Sequence, residues 1–183
     1  MTTEANTIVP QPNAEILSEF TGGGTSDVSM MIGVGLIKES DAVYFQYVGE
    51  DNTPRAITYE KTGAPVTRLA NVRLSGVSVA DDIGEFKSTK LNLYLTSQQG
   101  RTIMLTSGLT TIWSQCILTG LMGLYNNYSL GETVFTLDTW KGNSKMKPCF
   151  GAIRTGGQKV SDQIMYELLR EARGDRDNEK VNS

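Results

Sequence analysis

Histidine is absent from all 183 residues. Without an imidazole the chain cannot assemble a Ser-His-Asp or Cys-His catalytic set, an imidazole general base, or any histidine-containing metal site. Cysteine is nearly absent as well. Cys116 and Cys149 are the only two and form no CxxC pair, so their number and spacing exclude a zinc site. A disulfide between them is left open. No apolar run approaches the ~20 residues that a membrane-spanning helix needs. The first residues, MTTEANTIVPQPN, have neither a basic start nor an apolar stretch, and so read as no export signal. These absences lead to the expectation of a cytoplasmic protein with reduced cysteines, no membrane association, no metal, no cofactor and no enzymatic activity.

What is present suits one β-rich domain with tails. Apolar residues make up 39% of the chain and charged residues 20%, enough for a real core. Nineteen glycines and short runs of Tyr, Phe and Thr favour strands joined by many turns. Residues 1–27 read as a flexible arm, with Pro10, Pro12 and Gly22-Gly23-Gly24, whose Ile16, Leu17 and Phe20 could dock as a short helical turn. The glycine run lacks the Gly-Lys-Ser/Thr ending of a phosphate loop and reads as a hinge.

Three strand-like runs follow, Val28 to Ile37, Ala42 to Val48 and Pro54 to Tyr59, the last two joined by a turn at Glu50-Asp51-Asn52-Thr53. In the second run Val43, Phe45 and Tyr47 share one face, and Tyr44 and Gln46 the other. From 66 to 159 the pattern is clearest. Leu69 to Val79 is a strand whose apolar positions are even before Gly76 (Val72, Leu74) and odd after it (Val77, Val79). A change of parity at a glycine marks a β-bulge. Lys90 to Thr96 alternates cleanly, with Leu91, Leu93 and Leu95 inward, and Arg101 to Thr106 is the next strand. Then Ile112, Trp113, Cys116, Ile117, Leu121, Leu124 and Tyr125 fall at helical spacing behind a Thr110 or Thr111 cap. Glu132 to Trp140 and Cys149 to Arg154 return to strand character across a Lys141-Gly142-Asn143-Ser144-Lys145 turn. A last helix is expected from Asp162 to Arg173, capped by Ser161 and ended by Gly174, with an Ile164, Leu168, Ala172 stripe for docking or partner binding. Residues 175–183 read as a disordered polar tail.

The net charge of −3 conceals a partition. Residues 66–159 carry ten Lys or Arg against five acids, whereas residues 1–65 carry nine acids and three bases. A basic body with acidic flanks points towards a polyanion, because phosphate affinity follows local potential. Ordinary variation between segments explains the same numbers. The candidate binding residues are Arg73, Lys90 and Tyr94, opposite the leucines; Arg101, opening the next strand; and Trp140, Lys141, Lys145 and Lys147 in the last hairpin. Cations attract a phosphate chain, and an exposed ring offers ~1–3 kcal/mol of stacking per base whatever the sequence. The alternative is that Tyr94 is a cross-strand partner and Trp140 a lid on the core edge.

This order of elements, β-β-β-α-β-β with a glycine bulge in the first strand, resembles the five-stranded OB-fold barrel. The whole is therefore expected to be mainly β with two helices: a single OB-like domain over 28–159 with an N-terminal strand extension, then a helix over 160–174. The resemblance implies that single-stranded nucleic acid crosses the second and third strands between the first and last hairpin loops. The first of those loops adds Phe86 and Lys87 to the candidates. The body with its charged tail is similar to single-stranded DNA-binding proteins of bacteriophages and plasmids, which implies strand protection in replication or recombination, with RNA left open as a partner. The first loop also carries Asp81, Asp82 and Glu85, and the tail lacks an acidic run with an apolar tip. Two other classes stay in view. One is an oligomeric or viral assembly module with no nucleic-acid role. The other is a nuclease holding a divalent ion on Asp81, Asp82 and Glu85, for which a solvated acidic turn is the simpler reading.

Overall fold

The computed structural model describes residues 20, 30–35, 40–48, 50–51, 53–59, 62–83, 85 and 87–181, without the side chains of Met30, Val48, Asp82, Ile83 and 174–181. Among them the order is β1 (Met30–Val34), β2 (Tyr44–Val48), β3 (Thr53–Ala56), β4 (Arg68–Ile83), β5 (Ser88–Thr96), β6 (Thr102–Gly108), α1 (Ile112–Asn127), β7 (Phe135–Lys141), β8 (Cys149–Thr155), β9 (Gln158–Val160) and α2 (Gln163–Val181). The expectation of a mainly β chain with two helices holds, and so does the β-β-β-α-β-β order from β4 to β8. Of the N-terminal arm only Phe20 is described, and it is fully buried; Ile16, Leu17 and the glycine run lie outside the described residues.

The closed barrel does not form. Nine strands make one open sheet in the order β3-β2-β1-β6-β5-β4-β7-β8-β9. Closure of the five central strands would require β6 to pair with β8. Instead β1 takes the free side of β6 in the one parallel pairing among the described residues, Met30 beside Ile103 to Gly33 beside Thr106, and β9 takes the free side of β8. The early strands thus extend the sheet through β6. They also fill its concave side, where Ile32, Val34, Val43, Tyr44 and Ile57 are buried with the leucines of β5.

β4 makes the sheet curl. Its first residues, Arg68 to Val72, pair with β7, and the remainder, Arg73 to Ile83, with β5. The register slips between Leu69 and Val72, where Asn71 takes a φ of 54°, and again between Leu74 and Gly76. The second slip is the bulge expected from the change of parity. It keeps Leu74, Val77 and Val79 opposite Leu95, Leu93 and Leu91. Val77 and Val79 nevertheless stay 44% and 54% exposed, because β4 beyond Val72 pairs on one side only among the described residues.

α1 plugs the core with Trp113, Ile117, Leu121 and Leu124, one stripe at helical spacing. Thr111 is its cap, accepting from the Ser114 N–H at 3.2 Å. Gly123 lets the helix approach the chain after β9: a Cβ there would lie 2.9 Å from the Ser161 backbone. Inside, the Thr139 hydroxyl accepts from Trp113 Nε1 at 3.0 Å and shares a 2.7 Å hydrogen bond with the Tyr44 hydroxyl. One side chain of β7 thus joins α1 to β2. Both cysteines are free thiols, which resolves the open disulfide question.

α2 departs from expectation in two ways. Asp162, and not Ser161, caps it, accepting from the Met165 N–H at 2.8 Å. Its backbone continues through Gly174 to Val181, so the expected stop and much of the expected tail are helical. Ile164 and Leu168 face solvent, so that stripe does not dock on the rest of the described chain, while Arg173 reaches α1 and donates to Gln115.

Candidate nucleic-acid interface

Alternation along β5 sends Leu91, Leu93 and Leu95 into the core and leaves Lys90, Asn92, Tyr94 and Thr96 on the outer face. Pairing aligns those four with their neighbours in rows: Arg73–Thr96–Thr102, Gly76–Tyr94–Met104, Ser78–Asn92–Thr106 and Ala80–Lys90–Gly108. β1 lengthens two rows, placing Met31 beside Met104 and Gly33 beside Thr106. The Phe45 ring lies over Gly33, where a Cβ would come within 2.3 Å of it. Phe45 meets Tyr47 edge-on at 5.3 Å between centroids.

The result is a shallow face bearing Tyr94, Phe45, Tyr47, two methionines, and the cations Arg73 and Lys90. No carboxylate stands in these rows. Neither helix covers them, since α1 packs on β8, β9 and the end of β6, and α2 on α1. Lys87 is exposed at the tip of the β4–β5 hairpin. That tip also holds Glu85 and Asp81, whose carboxylate accepts from Thr89 Oγ1 at 2.9 Å. Phe86 and the Asp82 side chain lie outside the described residues. Arg101 stands half-buried just before β6.

The last hairpin is elsewhere. Arg68 pairs with Asp138 across β4 and β7, which sets Trp140 beyond the start of β4, whereas Tyr94 opposes Gly76. The two positions are thus about ten residues of chain apart, roughly 33 Å along an extended strand, with the two register slips of β4 between them. Trp140 is 42% exposed and stacks on Phe150, at 6.1 Å and 14° between planes. The hairpin cations are partly engaged. Lys141 Nζ donates to the Ser40 carbonyl, and Lys147 lies 3.8 Å from Asp41. Lys145 is exposed. Between the two regions, Asp138 accepts from Arg68 Nε at 2.7 Å and from Arg154 Nε at 3.0 Å, so that carboxylate neutralises much of the local charge.

Of the sequence candidates, then, Arg73, Lys90 and Tyr94 come together with Lys87 near one end, while Trp140, Lys141, Lys145 and Lys147 form a separate group. Met31, Phe45, Tyr47 and Met104 were missed. The alternation of Phe45 with Tyr47 was a usable signal, but only the parallel pairing of β1 with β6 brings β2 onto this face. Comparison with known proteins finds no matching family model, no matching curated protein and no matching solved structure.

Proposed function

We propose that the chain binds single-stranded DNA without reading its sequence, in support of replication or recombination, through the outer face of β4, β5, β6 and β1. One observation carries this reading: a sheet face that no described helix covers, on which the half-buried Tyr94 and its apolar neighbours lie between Arg73 and Lys90 with no acid in the rows. Bases stack on the ring while the cations hold phosphates, and no chemistry is done. Kinship with OB-fold single-strand binders of phages and plasmids belongs to the same proposal. The open sheet still offers the face of its second and third central strands, and β1 and β2 widen it. A fluorescent oligothymidine titrated at low and moderate salt tests the reading. Micromolar or tighter binding at low salt is expected, and its absence rejects the proposal.

A second reading has its own observation. The β4 edge past Val72 carries the exposed Val77 and Val79 beside backbone that pairs with no strand among the described residues, and such an edge is a template for another strand. An assembly module would use it to join copies of the chain. Light scattering with and without oligonucleotide separates the readings: a fixed large assembly indifferent to DNA favours the second.

A further inference from the structure

α2 does not lie flat on the sheet. Between it, α1 and β8 is a cavity of about 450 Å³, within the ~300–1,000 Å³ usual for small-ligand clefts. Among the described residues its wall carries three rings, Trp140, Phe150 and Tyr166, and three cations, Lys159, Arg170 and Arg173, and no carboxylate. The Trp140 and Phe150 rings are stacked, with planes 14° apart and centroids 6.1 Å apart, so a flat group can extend the stack. Tyr166, half-exposed, lines the α2 side. Arg170 and Arg173 are three residues apart and so share a helix face. Arg173 donates through Nη2 to Gln115 Oε1, while its Nε is buried with no hydrogen-bond partner among the described residues. That nitrogen lacks an acceptor in a site whose other charges are all positive.

We propose that this cavity binds a nucleotide, its base against the Trp140–Phe150 surface and its phosphates held by Arg170, Arg173 and Lys159. The rings alone would suit any apolar ligand and the cations any anion. Their convergence selects a molecule that is flat at one end and polyanionic at the other. This site uses none of the residues of the Tyr94 face, so it stands or falls separately from single-strand binding. The nucleotide is either a free nucleoside phosphate or the phosphorylated end of a strand.

Tryptophan fluorescence of the full chain, titrated with ATP, adenosine, tripolyphosphate and a 5′-phosphorylated oligothymidine, tests the proposal. ATP is expected to quench saturably with a dissociation constant below about 1 mM, and adenosine and tripolyphosphate to bind at least about tenfold more weakly. Arg170→Gln and Tyr166→Ala change exposed side chains and are expected to leave the melting temperature unchanged while weakening ATP about tenfold and threefold respectively. Tyr94→Ala is expected to leave ATP binding intact. Competition between the oligonucleotide and ATP assigns a strand end as the source, and its absence assigns the free nucleotide; each agrees with the proposal. Absence of saturable ATP binding overturns it. So does parental ATP affinity in both variants, or tripolyphosphate binding as tightly as ATP.

Discussion

Tyr94 and Leu93 are neighbours in sequence and opposites in consequence. Leu93 is buried among the core leucines, so Leu93→Ala is expected to cost ~2–5 kcal/mol through the cavity it leaves, read by chemical denaturation. Tyr94 projects from the other face against Gly76, whose added Cβ would lie 3.3 Å from its ring. Tyr94→Ala should unfold nothing and weaken oligothymidine binding by ~1–3 kcal/mol. A variant that melts early yet binds normally would return Tyr94 to the role of a cross-strand partner. Trp140→Ala is expected to affect binding of an oligothymidine without a 5′-phosphate little, since its ring stands apart from Tyr94. Deeper in, the Thr139 hydroxyl holds Trp113 Nε1 and the Tyr44 hydroxyl. Thr139→Val leaves buried polar groups without their partner, at ~1–3 kcal/mol for each.

Burial pushes the Tyr44 phenol well above its ordinary range, with the Thr139 hydrogen bond acting in the opposite direction. The folded state therefore holds the proton more tightly than the unfolded state. Tyr44 contributes stability that is complete below the unfolded value of ~10 and declines as the pH rises beyond it, by up to ~1.4 kcal/mol per unit. Denaturation midpoints from neutral to strongly alkaline pH should fall less steeply in Tyr44→Phe than in the parent. Equal slopes would show that Tyr44 is not the group titrating. Burial also raises the Cys149 thiol, with Lys141 acting against it; that contribution is common to both chains and cancels in the comparison.

At the scale of elements, local chemistry defined most of what formed. The alternating leucines of β5, the change of parity at Gly76 and the helical spacing from Ile112 each survive in the structure, because each records which side of one element faces apolar surroundings. Element ends were less legible. β9 is a three-residue strand with too few positions to show a period. α2 continues past Gly174 because glycine disfavours a helix interior by only ~1 kcal/mol, which the flanking turns can outweigh. The close approach of β2 to β1 is a constraint that one strand alone cannot reveal. Gly33→Ala would place its Cβ inside the Phe45 ring. It is expected to displace that ring and lower stability by ~1–3 kcal/mol, with Gly35→Ala a poor control because its φ is itself positive.

For the whole molecule, the distribution of charge matters more than its total. If Arg73, Lys87 and Lys90 each meet a phosphate, the logarithm of the affinity should fall with that of salt at a slope of roughly −2. Between 50 and 200 mM salt that is a loss of roughly twentyfold, measurable by fluorescence anisotropy. A slope near zero would leave stacking without its electrostatic partner and count against strand binding. The structure contains no helix, among the described residues, long and apolar enough to cross a membrane.

Composition and periodicity determined, before any coordinates, that histidine chemistry is excluded, that strands dominate, and that Leu91, Leu93 and Leu95 of β5 turn inward. These follow from short-range rules, in which a residue's neighbours in the chain are also its neighbours in space. Which edges join was decided only by the tertiary structure. Whether β6 meets β8 or β1 depends on two segments about 120 residues apart in the chain competing for one row of backbone groups, and no local pattern records the outcome. That choice opened the sheet and carried Phe45 and Tyr47 to the Tyr94 face.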